Sequence, residues 1–179
     1  MDVIAKVPRT PISERINLRI VVFAGLVCLL IGYPLYVYLD NLVSGGIKDL
    51  GDGVKFVDLK TMSSFVFDQV NGRQEDVPEK WRALSGQKVV LEGEMWAPQA
   101  AGPKVDFFQL CYSIAKCCFS GPPQVQHFVD CRMADGSLAP YYSGLVRVVG
   151  TLHVNVRRDP EAGKVATVFQ MDVESITPK

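Results

Sequence analysis

The sequence predicts one small, mainly β domain with a single short helix, carried behind one apolar helix long enough to cross a bilayer. Three observations lead there. An uncharged apolar run occupies residues 20–39, two-residue alternation marks residues 88–96 and 144–157, and glycine-rich turn chemistry separates the run from the alternating segments.

The apolar run, IVVFAGLVCLLIGYPLYVYL from Ile20 to Leu39, contains no charge. Twenty helical residues rise by about 30 Å, the thickness of a hydrocarbon core. A soluble helix needs apolar residues along one stripe only, so a helix that is apolar all round fits lipid better. Pro34 is placed to kink its far end, where Tyr33, Tyr36 and Tyr38 suit the half-wet interface. Lys6, Arg9, Arg15 and Arg19 precede the run, whereas Asp40 follows it before the first cation at Lys48. The positive-inside rule then keeps a basic tail, residues 1–19, in the cytoplasm and exports the remainder, giving a single-pass signal-anchor of a bacterial inner membrane with its C-terminal domain in the periplasm. The rival reading is a cleaved signal peptide, for which Val43-Ser44-Gly45 is an acceptable cleavage site. Cys28 follows Val27 rather than a small residue, which argues against lipidation there.

Residues 40–53 read as a linker, with Ser44-Gly45-Gly46 and Gly51-Asp52-Gly53 supplying turns, and the exported domain covers residues 54–179. Within it, residues 77–84 (VPEKWRAL) carry Pro near the start and Gly86 just past the end, the asymmetry of a short helix. Residues 88–96 alternate Val89, Leu91, Gly93 and Met95 against Val90, Glu92, Glu94 and Trp96, so a strand with a bend or bulge at Gly93 is expected. Residues 144–157 place Val146, Val148, Gly150, Leu152, Val154 and Val156 on one face, and Arg147, Thr151, His153, Asn155 and Arg157 with Leu145 and Val149 on the other, which is mainly polar. After the turn Asp159-Pro160-Glu161-Ala162-Gly163, residues 164–173 return with Val165, Thr167, Phe169, Met171 and Val173 inward, closing a long hairpin. A glycine-bent strand, a short helix and a closing hairpin together suggest a small OB-like Greek-key barrel. Trp81 and Trp96 are read as packing residues and His153 as a solvated surface histidine.

Charge excludes one class of partner. Residues 40–179 hold 15 Lys and Arg against 17 Asp and Glu, and the whole chain has a formal net charge of zero, so the basic face of a nucleic-acid binder is missing. An enzyme is not expected either. The chain lacks Ser-His-Asp spacing, a phosphate-cradling glycine loop and an H-E-x-x-H helix, and Glu92 and Glu94 read as a solvated strand face.

The densest chemistry is a run of cysteines: Cys111, Cys117, Cys118 and Cys131, with His127 between the last two. One reading is a transition-metal site, zinc-like because thiolate and imidazole ligands are soft, formed by Cys111, Cys117, Cys118 and His127 after Gly121-Pro122-Pro123 folds the chain back. If residues 125–133 form one strand, His127 and Cys131 stand about 13 Å apart and cannot share an ion, which leaves Cys131 as an alternative ligand or a disulfide partner. The second reading is disulfide bonding in an oxidising compartment, for example Cys117 with Cys131. Thiol redox catalysis wants C-x-x-C at a helix start in a βαβ setting, which this sequence lacks.

The run Phe107-Phe108-Gln109-Leu110-Cys111, the segment Cys117-Cys118-Phe119-Ser120-Gly121-Pro122-Pro123 and the strand VRVVGTLHVNV from Val146 to Val156 resemble an uncharacterised bacterial envelope family known only as a domain of unknown function. The resemblance covers roughly residues 54–176. It implies an exported, barrel-like domain of the periplasm, often encoded beside permeases and ATPases of the FtsX/MacB type. It further implies an envelope membrane protein such as an ABC-type permease as partner and a link to metal homeostasis. It supplies no catalytic residue. The function expected is therefore a membrane-anchored accessory protein holding a soft metal. The alternative is a non-enzymatic interaction module of an envelope complex whose cysteines form disulfides.

Overall fold

A computed structural model describes residues 18–100, 102–119 and 121–179, and the side chains of all of these except Leu18, Val37, residues 40–44, Cys118 and Phe119. The basic tail expected over residues 1–19 falls outside the described residues as far as Asn17, and so does any ligand role of the Cys118 side chain. The chain divides into two compact units, Met1–Val43 and Ser44–Lys179.

The first unit holds helix α1, Leu18–Ser44, with Pro34 inside it. Its 18-residue stretch Arg19–Tyr36 has a mean hydropathy of 1.9 and is long and apolar enough to cross a membrane. Large side chains project from it in every direction, Phe23, Leu29 and Tyr33 among them, as expected of a helix with no polar face. The helix runs five residues beyond the expected end at Leu39.

The second unit is mainly β. Strand β1 (Ile47–Asp49) turns into β2 (Lys55–Val57) through Gly51, Asp52 and Gly53, all with positive φ, and Asp49 Oδ1 accepts from the Gly51 amide at 2.8 Å. The segment expected to be a linker, residues 40–53, therefore supplies the first strand and the turn of a small hairpin. Helix α2 (Leu59–Met62) follows, its first amides capped by Asp58, and helix α3 (Glu79–Arg82) is the short helix read around Pro78. The long strand β3 (Gln87–Trp96) comes next, then β4 (Lys104–Val105), β5 (Phe108–Cys111), helix α4 (Ile114–Phe119), β6 (Phe128–Met133) and β7 (Ala139–Pro140). Strands β8 (Leu145–Arg158) and β9 (Val165–Pro178) form the anticipated closing hairpin.

Pairing runs β3–β5–β6–β9–β8 and back to β3, a ring of five strands in which only β6 and β9 are parallel. β2 adds to β3 in parallel at Lys55–Val57, and β4 pairs with β7 apart from the ring. The inward residues are those of the alternation: Val89, Leu91 and Met95, Phe108 and Leu110, Val129 and Cys131, Val146, Val148, Leu152 and Val154, then Phe169, Met171 and Val173. Trp81, Leu84, Val77, Leu59 and Met62 join the same core from the segment ahead of β3, so the short helices serve packing. Val156 departs from expectation, being only partly buried where the hairpin register slips between Val154 and Arg157.

Two ring glycines are required by close backbone approach. A Cβ on Gly93 would lie 2.4 Å from the Cys111 carbonyl oxygen, and one on Gly150 would lie 2.2 Å from that of Asp172. At Gly150 the β8–β9 register shifts, the bulge that lets a strand bend sharply. At Gly93, where a bend or bulge was expected, the β3–β8 register is unbroken, so there is no bulge in that pairing, and the glycine provides space.

Candidate functional site

Two places on the β domain carry chemistry: the cysteine segment and the outer face of β5, β6 and β9. On β5, alternation sends Phe108 and Leu110 inward and Cys111 to the other side. There Cys111 is buried with Cys117 and Phe128, under contacts from Trp96, Tyr112 and Ile114. Register explains the grouping, because Cys111 lies opposite both Phe128 on β6 and Glu94 on β3. Helix α4 brings Cys117 over this spot, and its start is held down by Glu94, whose Oε2 accepts from the Ile114 amide at 2.6 Å. Burial raises the Tyr112 phenol above its ordinary range, and Cys117 and Cys111 beside it add to the rise.

Cys131 stands apart from this pair. It sits three residues after Phe128 on the same strand, so it points to the opposite face, is fully enclosed in the main core and is a free thiol. Burial pushes its thiol well above the ordinary range, with Asp130 adding to the effect. Cys131, expected as a disulfide partner of Cys117 or an alternative ligand, lies in the main core cluster, and Cys111 and Cys117 lie in the other.

His127 is also placed differently from the expectation. Residues 125–127 form a turn of 3-10 helix and the strand starts only at Phe128, so His127 does not share a strand face with Cys131. Its ring is partly buried, its Nδ1 is shielded and has no hydrogen-bond partner among the described residues, and burial lowers its pKa toward the neutral imidazole. Gln126 anchors this turn. Its Nε2 donates to the Phe65 carbonyl at 3.2 Å and to Gln124 Oε1 at 2.6 Å, while Gln69 Nε2 donates to its Oε1 at 2.9 Å. Among the described residues, no three His, Cys, Asp or Glu side chains stand together in a group that could hold a metal ion. The structure thus gathers Cys111 and Cys117, and it does not add His127 to them as a third ligand.

The outer face of the ring presents what the sequence reading missed. A cavity of about 520 Å³ is lined by Phe107, Asp130, Arg132, His153, Arg157 and Gln170, among others. Two neighbouring hollows continue it. One shares Phe107 and Arg132 with it and reaches the loop after β3, and the other shares Asp130 and Thr167 with it and reaches Trp96 and Pro123. Asp130 accepts from Gln109 Nε2 at 2.9 Å, His153 Nε2 lies 2.9 Å from Asp172 Oδ2, and Arg132 stacks over Phe107 at 5.5 Å. His153 is therefore paired, not merely solvated. Glu92, read from the sequence as part of a solvated strand face, is mostly covered and is bound by Arg147 at 2.7 Å and Lys179 at 2.5 Å. The Lys179 hydrogen bond first, and Arg147 second, hold its carboxyl below the ordinary range.

The signal for the outer face was present in the alternation: Asp130 and Arg132 flank the inward Cys131, and His153, Asn155 and Arg157 follow the same period on β8. What alternation alone does not reveal is that β9, paired with β6 on one side and β8 on the other, brings these two sets onto one surface.

No family model matches the chain, and no curated protein matches it. Among solved structures it is similar to a DUF3299 family protein from Pseudomonas aeruginosa PAO1, at 19% identity and a TM-score of 0.44, over 68% of this chain and 78% of that one.

Proposed function

We infer that the chain is a membrane-anchored, non-enzymatic accessory module of a bacterial envelope, with α1 as a single-pass anchor and the β unit held in the periplasm. The observation that carries this reading is helix α1, whose stretch Arg19–Tyr36 is long and apolar enough to cross a membrane, in a compact unit distinct from a β domain that has its own core. A helix of 27 residues is about 40 Å long, enough for a hydrocarbon core plus part of both interfaces. Its cost in water has no compensation except lipid or a protein partner. The ring order β3–β5–β6–β9–β8, with a single parallel pair between the third and fifth of these strands in sequence, supports reading the domain as an OB-like Greek-key barrel. Such an architecture is a scaffold and does not dictate a ligand. The resemblance drawn from the cysteine and proline motif points to an envelope membrane protein, such as an ABC-type permease, as the partner.

The test is alkaline carbonate extraction of membranes from cells producing the full chain. An anchored chain stays in the pellet and leaves it only with detergent. Recovery in the carbonate supernatant would remove the anchor and the reading with it.

A second reading is favoured by one specific placement. Cys111 and Cys117 share a buried cluster, Cys118 follows in the same helix, and His127 keeps a neutral ring with an unpartnered Nδ1 among the described residues. These four residues would hold a zinc-like ion if α4 and the turn at 125–127 drew together, with thiolates supplying most of the affinity. Metal analysis of the purified, non-reduced chain after zinc repletion decides it, and a content far below one equivalent rejects the site.

A further inference from the structure

Two of the cysteines reach one buried spot from different elements, and a single glutamate on the next strand holds both elements there. Cys111 is the last residue of β5, and its Sγ lies 3.7 Å from the Glu94 carbonyl oxygen on β3. The Glu94 side chain reaches the helix: its Oε2 accepts from the Ile114 amide at 2.6 Å, so the first residue of α4 is tied to the residue that stands opposite Cys111. Only Tyr112 and Ser113 connect strand to helix. Residues three apart share a helix face, so the face of α4 that carries Ile114 also carries Cys117. Both pack in the cluster of Cys111 and Phe128, and the Cys117 amide donates to the Ser113 carbonyl at 2.9 Å, which closes the first helical turn over that cluster.

Other pairings of these cysteines are set less well for a bridge. Cys117 and Cys118 are neighbours, whose Cα atoms stand about 3.8 Å apart, below the roughly 4.4–6.8 Å that a disulfide spans. Cys131 sits in the main core, on the face of β6 opposite to Phe128, so the sheet itself stands between it and Cys117. A link between Cys111 and Cys117 has a clear mechanical effect. Helix α4 has six residues, too few to be stable alone, and it is held by the Glu94 hydrogen bond at its start and by the burial of Ile114 and Cys117. A covalent bond from its second turn to β5 fixes the helix to the ring.

We propose that Cys111 and Cys117 form a disulfide that pins α4 to the end of β5 when the chain meets a disulfide oxidant such as oxidised glutathione. One cysteine thiolate attacks the glutathione disulfide, forming a mixed disulfide and releasing one glutathione, which takes up the proton. The other thiolate then displaces the second glutathione. The pair loses two electrons and two protons, and one glutathione disulfide becomes two glutathione thiols. Both sulfurs are buried once α4 is seated, so the exchange takes place while the helix is open. The proposal deepens the reading of an exported domain, because an oxidising compartment is where such a bridge persists. It also sets a condition on the zinc-like site: bridged sulfurs are not thiolate ligands, so bridge and ion exclude one another.

The test uses the full chain in phospholipid nanodiscs, equilibrated with glutathione from fully reduced to fully oxidised, then quenched with N-ethylmaleimide under denaturing conditions and digested with trypsin. Cleavage after Lys104, Lys116 and Arg132 puts Cys111 on one peptide and Cys117, Cys118 and Cys131 on another. A bridge therefore appears as a linked pair of peptides, and tandem mass spectrometry reads which cysteines carry maleimide. The linked pair is expected to grow with oxidation, to carry maleimide on Cys118 and Cys131, and to persist in Cys118→Ser. The oxidised chain is expected to melt roughly 5–10 °C above the reduced chain. In Cys117→Ala the linked pair and the thermal difference both vanish, and comparing two redox states of one variant removes any loss of packing from the result. No linked pair at any glutathione ratio, maleimide on Cys117 within the linked pair, or equal melting of the oxidised and reduced chains overturns the proposal. Bridging in a glutathione buffer does not depend on where a cell places the domain. A chain that bridges but leaves the membrane in carbonate therefore refutes the anchored reading alone.

Discussion

Replacing Gly150 by alanine would set a Cβ atom 2.2 Å from the Asp172 carbonyl oxygen and 2.9 Å from the Val173 Cα. Both neighbours are backbone atoms of the paired strand β9, so no side chain can swing aside, and the β8–β9 hairpin must separate or shift. Gly150 has no positive φ, which removes backbone strain from the comparison and leaves the clash as the cause. Overpacking of this kind costs about 3 kcal/mol. For a domain of this size each kcal/mol lowers the melting temperature by roughly 3–5 °C, so a fall of about 10 °C is expected. Gly102→Ala is the matched control, because a Cβ there meets nothing within 4 Å and the residue also lacks a positive φ. Thermal denaturation of the two variants, followed by near-ultraviolet circular dichroism on the full chain, gives the difference directly. If Gly150→Ala melts within a degree or two of Gly102→Ala, the strands do not approach as described and the closed ring of pairings is wrong.

Gln126→Leu should destabilise the chain by about 2 kcal/mol, since Gln69 Nε2 and the Phe65 carbonyl lose a partner in a part-buried site; urea titration measures it. Cys131 should resist a thiol reagent in the native chain and react after denaturation, because its raised pKa keeps it protonated and the core encloses it; fast native labelling mapped to Cys131 would contradict its burial. For Glu92 the folded pKa is depressed, so its ion pairs contribute stability above the unfolded carboxylate pKa and that contribution is lost as pH falls through the folded value. Glu92→Gln should therefore lower the melting temperature near neutral pH and leave it little changed in strong acid, measured by scanning calorimetry across the acid range. Arg158→Ala should loosen the turn at residues 70–72, whose three carbonyls the guanidinium binds, and speed amide exchange there; unaltered exchange would show that the turn holds itself.

The parts of this fold legible in the sequence are those where one physical pattern acts alone. Uncharged length marks α1, and the two-residue alternation of β8 and β9 picks out their inward faces almost residue by residue. Patterns of three or four residues are too short to register, which is why the sequence reads β1 as linker and the turn at 125–127 as strand. The site was harder. Cysteine density drew attention to residues 111–131, yet density along the chain is not proximity in space. Strand parity separates Cys131 from Cys111 and Cys117, and it becomes visible only once the start of β6 is placed at Phe128. The outer-face cavity escaped notice for the opposite reason. Asp130 and Arg132 lie far in sequence from Arg157 and Gln170, and the β6–β9 and β8–β9 pairings together bring them to one surface.

The most direct test of the anchored, exported domain is a pair of reporters fused after Lys179 in a bacterial host, alkaline phosphatase and green fluorescent protein, each active on one side of the inner membrane only. Phosphatase activity with a dark fluorescent fusion is the result expected. A bright fluorescent fusion with no phosphatase activity would put the β domain in the cytoplasm and contradict the account.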